Sequence, residues 1–303
     1  MTVLELIESG AHQFSQAGLT FGHGTTNAFD EAAWLVLWSL GLPLDAALDA
    51  DESKGKEAVA PADIARAATL FEARVNTRKP AAYLTHEAWL QGVSFYVDER
   101  VIVPRSLIAE VLVDGSIDYW LSEASRAVLD CCTGNGSLAI LAALTYPEVV
   151  VTGSDLSSDA LAVAEINRER HQLQDRVSLV ESDGLSSPAL HFRGPFDLIL
   201  CNPPYVNAQS MGELPPEYRS EPALALDGNR AGGTDGMDFI RALLKDASAQ
   251  MAPGAILVLE VGHERHHFEA AFFRLEVVWL ETSAGGDQVL VVTRDALMQW
   301  EQG

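Results

Sequence analysis

The sequence predicts an α/β protein in which a mostly parallel sheet, closed by an antiparallel pair of strands, carries helices on both faces and follows a small helical N-terminal domain. Three observations lead to this. From Ala127 onward, short apolar runs alternate with segments of helical spacing, the pattern of strands joined by crossover helices. The first eighty residues instead show helical spacing and turn signals, without strand-like alternation. A chain of 303 residues with 48% hydrophobic and 21% charged content is long enough for two cores.

Taken in order, Thr2 and Glu5 make a capping box, so the chain is expected to start in a helix and not in a secretory leader. The apolar stretch Ala32 to Leu44 is too short to span a bilayer and is broken by Gly41 and Pro43, which predicts a buried helix and no membrane contact. The charged stretch Asp49 to Glu57, with Gly55, reads as a loop. Pro61 suits a helix first turn, and Ile64, Ala68, Phe71 and Val75 share one face of that helix. Pro80 ends the helical region, and Trp89 to Val97 reads as two short strands about a Gly-containing turn. The expected boundaries are a helical recognition domain over 1–85, a hairpin linker over 86–106 and a catalytic domain over 107–303. Within the last, Val128 to Cys132, Val149 to Asp155, Val177 to Asp183, Phe196 to Cys201 and Ala255 to Val261 are strands. Ser137 to Leu144, Ser158 to His171 and Asp235 to Met251 are helices between them. Val277 to Leu280 and Val289 to Val292, around Gly285-Gly286, complete seven strands as the antiparallel pair.

The formal net charge of −23 excludes a general affinity for phosphate polymers, since no Lys/Arg run offers a basic groove; direct DNA binding is not expected, whereas a basic protein would be attracted. Three cysteines cannot make a paired framework. Cys131 and Cys132, adjacent in an apparent strand, are expected on opposite faces as small core side chains, which fits a reducing cytoplasm.

The chemistry is expected at the strand ends, because the binding crevice of an open α/β sheet lies there. Asp130-Cys131-Cys132-Thr133-Gly134-Asn135-Gly136 closes the first strand and opens a helix, where glycines let a ligand approach the backbone. Asp155, followed by Leu156, ends the second strand at the distance where a carboxylate accepts ribose hydroxyls, and Asp183 ends the third beside Gly184. The loop has only two glycines, Gly134 and Gly136, followed by Ser137 and Leu138. It thus lacks the G-x-G-x-x-G order of a dinucleotide site and favours S-adenosylmethionine. Directly after the fourth apolar run stand Asn202, Pro203, Pro204 and Tyr205, a polar amide, a rigid turn and an aromatic ring. Asn202, Pro203 and Tyr205 are the expected catalytic residues.

These segments resemble the class I S-adenosylmethionine methyltransferases, Rossmann-like enzymes that modify amide or exocyclic amino nitrogens. More closely, Ala81 to Leu84, Phe95 to Arg100, Val103-Pro104-Arg105-Ser106 and Leu259-Glu260-Val261-Gly262 are similar to the protein-glutamine methyltransferases. That resemblance covers roughly Ala81 to Thr293. It implies S-adenosylmethionine as cofactor, held by Asp130, Thr133, Gly134, Asn135, Gly136, Asp155, Leu156, Asp183, Gly184 and Asn202. It implies substrate contacts from Asn202, Pro203, Pro204, Tyr205, Glu221 and Pro222. The Pro-Arg-Ser form resembles the branch acting on ribosomal protein L-three, a basic substrate; the release-factor branch carries Pro-Arg-Pro-Glu-Thr there. A DNA adenine methyltransferase shares the Asn-Pro-Pro-Tyr string, but the acidic charge opposes it. A nucleoside-binding assembly factor with a vestigial pocket is the non-enzymatic alternative. Val206 to Thr234 lacks periodicity and is expected to be a lid over the substrate. His263, His266 and His267 read as a solvated helix start, and no metal is assigned.

Overall fold

A computed structural model of the chain describes residues 1–48 and 54–302. The N-terminal part is built from α1 (Val3–Gln16), α2 (Ala28–Leu40), α3 (Pro61–Thr77) and α4 (Ala81–Thr85). The expected capping box is present: Glu5 N donates to Thr2 Oγ1 at 3.2 Å and Thr2 N to Glu5 Oε2 at 2.8 Å. Residues 49–53 of the charged stretch lie outside the described residues, and Lys54–Lys56 form a 3-10 turn. The seam of α3 differs from the expected face. Its buried residues are Ala67, Phe71 and Arg74. A helix-periodic count of apolar residues passes over an arginine, yet Arg74 is wholly buried because Glu31 of α2 meets its Nε at 2.5 Å. Phe71 packs edge-on against Phe14, with ring centroids 5.5 Å apart, and a side chain on Gly10 would clash with its ring.

A hairpin, β1 (Ala88–Leu90) with β2 (Val93–Phe95), leads through α5 (Ile108–Val113) into the sheet. There follow β3 (Ala127–Cys131), α6 (Ser137–Thr145), β4 (Val150–Asp155), α7 (Ser158–Arg170), β5 (Val177–Glu181), α8 (Pro188–His191) and β6 (Phe196–Cys201). The chain ends with α9 (Ala208–Glu213), α10 (Asp238–Gln250), β7 (Met251–Glu260), α11 (Arg265–Ala271), β8 (Val278–Thr282), β9 (Gly285–Thr293) and α12 (Arg294–Glu301). The seven strands run in the order β5-β4-β3-β6-β7-β9-β8, parallel except for the antiparallel pairings of β9 with β7 and β8. Period-two alternation divides the core between the two faces of the sheet: Leu198 and Leu200 join the α5/α6 side, and Ile199 and Cys201 the α10 side.

Two expectations about this region change. Segment 206–234 is not structureless but carries α9 and two 3-10 turns, Pro216–Ser220 and Ala223–Ala225. β5 stops at Glu181, so Asp183 lies two residues beyond its strand. The helical part is bound to this segment by charge as well as by apolar contact. Glu217 is fully buried, takes Arg78 Nη1 and Thr20 N at 3.1 Å each, and lies 3.8 Å from Arg74. Among the described residues no helix is long and apolar enough to cross a membrane. Removing Arg74 would strand the buried carboxylate of Glu31 and take one of two cations from Glu217. Arg74→Ala is therefore expected to destabilise the fold by about 3–5 kcal/mol in urea unfolding, and a loss below 1 kcal/mol would contradict the buried charge network.

Candidate active site

Strand order reverses between β3 and β6, and a cavity opens outside the carboxyl ends of β3, β4 and β6, as the topology requires. Its wall brings together Gly134, Asp155, Leu156, Asp183, Gly184 and Asn202 from the expected set, with Cys132, Pro204, Pro222 and Phe239 beside them. Asp155 is oriented by its own backbone neighbourhood: Gly134 N donates to Oδ2 and Ser157 N to Oδ1, both at 2.9 Å. Burial raises its carboxyl from the ordinary range, and these two N–H groups oppose the rise. Gly134 adopts a left-handed φ of 55°, and a side chain there would meet no protein atom, so its bare surface is available to a ligand.

Asp130, Thr133, Asn135 and Gly136 do not line the cavity; they shape the loop beneath it. Asp130 is fully buried, and its Oδ2 accepts from Thr133 Oγ1 at 2.5 Å and Ala139 N at 2.9 Å. The sequence places it at a strand end, but its side chain falls on the α6 side of the sheet and faces the helix start. Gly136 begins α6 with φ 82°, packed so closely that an added Cβ would lie 3.2 Å from that of Ala164. Asn135 is held through its carbonyl by Asn167 Nδ2 at 2.9 Å, while the same amide group of α7 exchanges hydrogen bonds with the backbone of Tyr96. Asn167 thus ties the hairpin exit to the glycine loop. Nothing in the sequence pattern marks a helical asparagine for that task.

A second cavity lies on the other side of Asn202. Pro203, Tyr205, Arg105, Tyr218, Glu260 and His263 contribute to its wall, and Asn202 belongs to both cavities. Tyr205 donates its O–H to Glu260 Oε1 at 3.3 Å, and Glu260 Oε2 accepts from Ser106 Oγ at 2.6 Å and Leu107 N at 2.9 Å. Burial raises both the Tyr205 phenol and the Glu260 carboxyl. Gly262, at φ 52°, must lack a side chain because a Cβ would lie 2.6 Å from the Tyr205 ring. Ser106 and Glu260, quoted from sequence only as parts of motifs, together fix the tyrosine.

Glu221 lines neither cavity. Its side chain is buried in a bidentate pair with Arg105, at 2.6 and 2.7 Å, and also accepts from Val103 N at 2.9 Å. Burial alone would push its carboxyl up, but Arg105 outweighs that and holds it at about 2. Pro222, next to it, lines the first cavity instead of the second one. The segment expected as a lid is therefore anchored at Glu221. His267 is also committed: Nδ1 lies 2.5 Å from Glu264, whose other oxygen accepts from Asn207 Nδ2 at 2.6 Å. The expected solvated helix start thus pins the turn that follows Tyr205.

The family model described as "Methyltransferase small domain" matches residues 115–214. The chain is 49% identical over 297 residues to the ribosomal protein uL3 glutamine methyltransferase of Burkholderia pseudomallei, covering 96% of this chain and 94% of that protein. It is 48% identical over 302 residues to the same-named enzyme of Bordetella pertussis, with 98% and 96% covered. The chain belongs to the ribosomal protein uL3 glutamine methyltransferase family. The crystal structure of the hMettl16 catalytic domain in complex with the MAT2A 3'UTR hairpin 6 matches with a TM-score of 0.51 at 15% identity, over 77% of this chain and 81% of that one, and shows the shared fold. S-adenosylmethionine is the methyl donor of this family of folds. The first cavity fits it chemically: a carboxylate with lone pairs to spare, an uncovered glycine backbone, and apolar walls from Leu156, Pro204 and Phe239 suited to a planar base.

Asp130 gives this site a pH signature. Its carboxyl is pushed from 3.8 up to about 7 by burial, against the hydrogen bonds from Thr133 and Ala139. The folded chain therefore keeps a proton that the unfolded chain has released. The stability this confers is complete below the unfolded value and is lost as pH rises through the folded one. Asp130→Asn should flatten the fall in stability between about pH 4 and about pH 7; an unchanged slope in urea midpoints would refute the assignment.

Proposed function

We propose that this enzyme transfers a methyl group from S-adenosylmethionine to the side-chain amide nitrogen of a glutamine in ribosomal protein uL3. The observation that carries the reading is the position of Asn202 in the wall of both cavities, one suited to a nucleoside and the other lined by Pro203 and Tyr205. The relatives' names supply the substrate. The net charge of −23 supports a basic protein partner over a nucleic acid.

When bound, S-adenosylmethionine supplies an electrophilic methyl group. The chain's own residues must then solve a problem of geometry, because an amide nitrogen is a poor nucleophile whose lone pair is delocalised into its carbonyl. Asn202 offers its side-chain oxygen and Pro203 its backbone carbonyl to the two amide hydrogens, turning the lone pair toward the first cavity. Proline at 203 and 204 keeps that carbonyl aimed, since its φ is fixed. Acceptors directed at the positive charge that develops on nitrogen add electrostatic stabilisation. Tyr205, held by Glu260, forms the aromatic wall of the amide slot. The proton leaves the acidified nitrogen for water, so no side chain is assigned as a base. Asp155 holds the ribose, and the helical region together with the segment around Glu217 and Glu221 presents the protein substrate. The enzyme's place of action is the cytoplasm, where ribosomal proteins are made and assembled.

The test is radiolabelled methyl transfer into a lysate lacking this protein, with mass spectrometry of the labelled band. A glutamine of uL3 is expected; label in a release factor or in DNA would overturn the reading. Asn202→Ala should abolish transfer, by about three orders of magnitude or more, while leaving S-adenosylhomocysteine affinity within a few-fold. In calorimetry, Asp155→Ala should weaken cofactor binding about tenfold or more, since two charge-assisted hydrogen bonds to the ribose are lost.

A further inference from the structure

The three cysteines were expected as separate core side chains, with two of them on opposite faces. The fold brings them together. Cys131 and Cys201 are the last residues of β3 and β6 and are partners in the parallel register, so their side chains share a face. The strand ends at Cys131. Cys132 lies beyond it at a left-handed φ of 63°, which overrides strand alternation and returns its side chain to the other two. The three Sγ atoms all lie within 4.8 Å of one another. Cys131 and Cys201 are buried, and Cys132 forms part of the cofactor cavity wall.

We propose that these three thiols form a binding site for one soft cation, of the class of zinc, cadmium or cuprous ion, entered through the cofactor cavity. Thiolates select soft cations over magnesium or calcium. A metal–sulfur bond of about 2.3 Å in tetrahedral geometry sets the sulfurs roughly 3.8 Å apart, inside the span the three atoms already occupy. Two ligands sit on central strands of the sheet, so the site is largely assembled before the cation arrives, and its geometry is set by main-chain hydrogen bonding. The third gives the entry path. On binding, each thiol releases its proton to solvent and its sulfur lone pair forms the bond to the metal; no electron is transferred. Cys132 lies between Cys131 and the loop whose Gly134 N–H orients Asp155. A cation at the cluster therefore works against the cofactor, and the cofactor shields the cluster.

The experiment titrates reduced, chelator-stripped, full-length protein with cadmium chloride alone. A sulfur-to-cadmium charge-transfer absorption should saturate at one equivalent per chain, and cadmium should protect Cys132 from iodoacetamide, as mapped by mass spectrometry of the wild-type protein. Cys132→Ser and Cys201→Ser, each checked for folding by circular dichroism, should weaken cadmium binding about tenfold or more. Saturating S-adenosylhomocysteine should weaken it to a similar degree. Absence of the absorption, binding unchanged in both variants, or unprotected Cys132 in the cadmium-loaded wild type would each overturn the site. Cadmium affinity indifferent to S-adenosylhomocysteine would overturn its placement at the cavity. That last arm rests on the cavity being the cofactor's, which calorimetry of S-adenosylhomocysteine without cadmium checks independently.

Discussion

The structure depends on a set of buried ion pairs that crosses from the N-terminal helices to the chain after the fourth parallel strand. Arg74 meets Glu31 and approaches Glu217; Arg78 meets Glu217; Arg105 clasps Glu221, with His23 3.6 Å away from the same carboxylate. Charges taken out of water are tolerated only when geometry and hydrogen bonding offset their desolvation. Glu217 and Glu221 lie on the segment after β6, whereas the groups that meet them, Arg74, Arg78, Arg105 and His23, lie on the N-terminal part of the chain. Separating those segments would strand charges in an apolar interior. This makes the helical part and the sheet one cooperative site, where apolar contact alone would leave freedom to slide.

The consequence falls on both cavities. Glu221 is followed by Pro222, Leu224 and Ala225, which line the first cavity, and preceded by Tyr218, which borders the second. Arg105, beside Ser106, is the other half of the clasp, and Ser106 reaches Glu260, which holds Tyr205. Polar contacts and the Arg105–Ser106 peptide bond connect Glu221 to the aromatic ring beside Asn202. Glu221 and Ser106, which line neither cavity, thus set the positions of residues that do. Asn167 does the same on the other side, joining the hairpin exit to the glycine loop.

The cavity at the sheet's switch point contrasts with this in origin. Parallel strands finish at one edge, helices start there, and backbone N–H groups of the turns are left facing the crevice. Asp155 uses two such groups to orient itself in the cavity wall, and Asp130 takes two further donors below the loop, beneath the turn. Their different burial separates their chemistry: Asp130, sealed from water, titrates near 7.

The sequence by itself determined the strand succession and three of the helices between the strands, the capping box at Thr2, the helix start at Pro61, the antiparallel pair at the end and the strand-end positions of Asp155 and Asn202. These follow from local rules, because periodicity, proline and glycine act within a few residues. What tertiary structure decided are the features that rest on partners far along the chain. Arg74 counts as a surface residue until Glu31 and Glu217 surround it; Glu221 reads as a substrate contact until Arg105 takes both its oxygens. Asp130 and Asp155 look equivalent in a linear reading, but the register pairs Asp130 with Gly153, so Asp155 stands two residues nearer the sheet edge on the same face, in the cavity wall, while Asp130 lies under the loop. Cys131, Cys132 and Cys201 converge because a register and a left-handed turn place them so. Burial and pairing of polar groups are long-range properties, and composition along the chain carries no record of which distant residue will satisfy them.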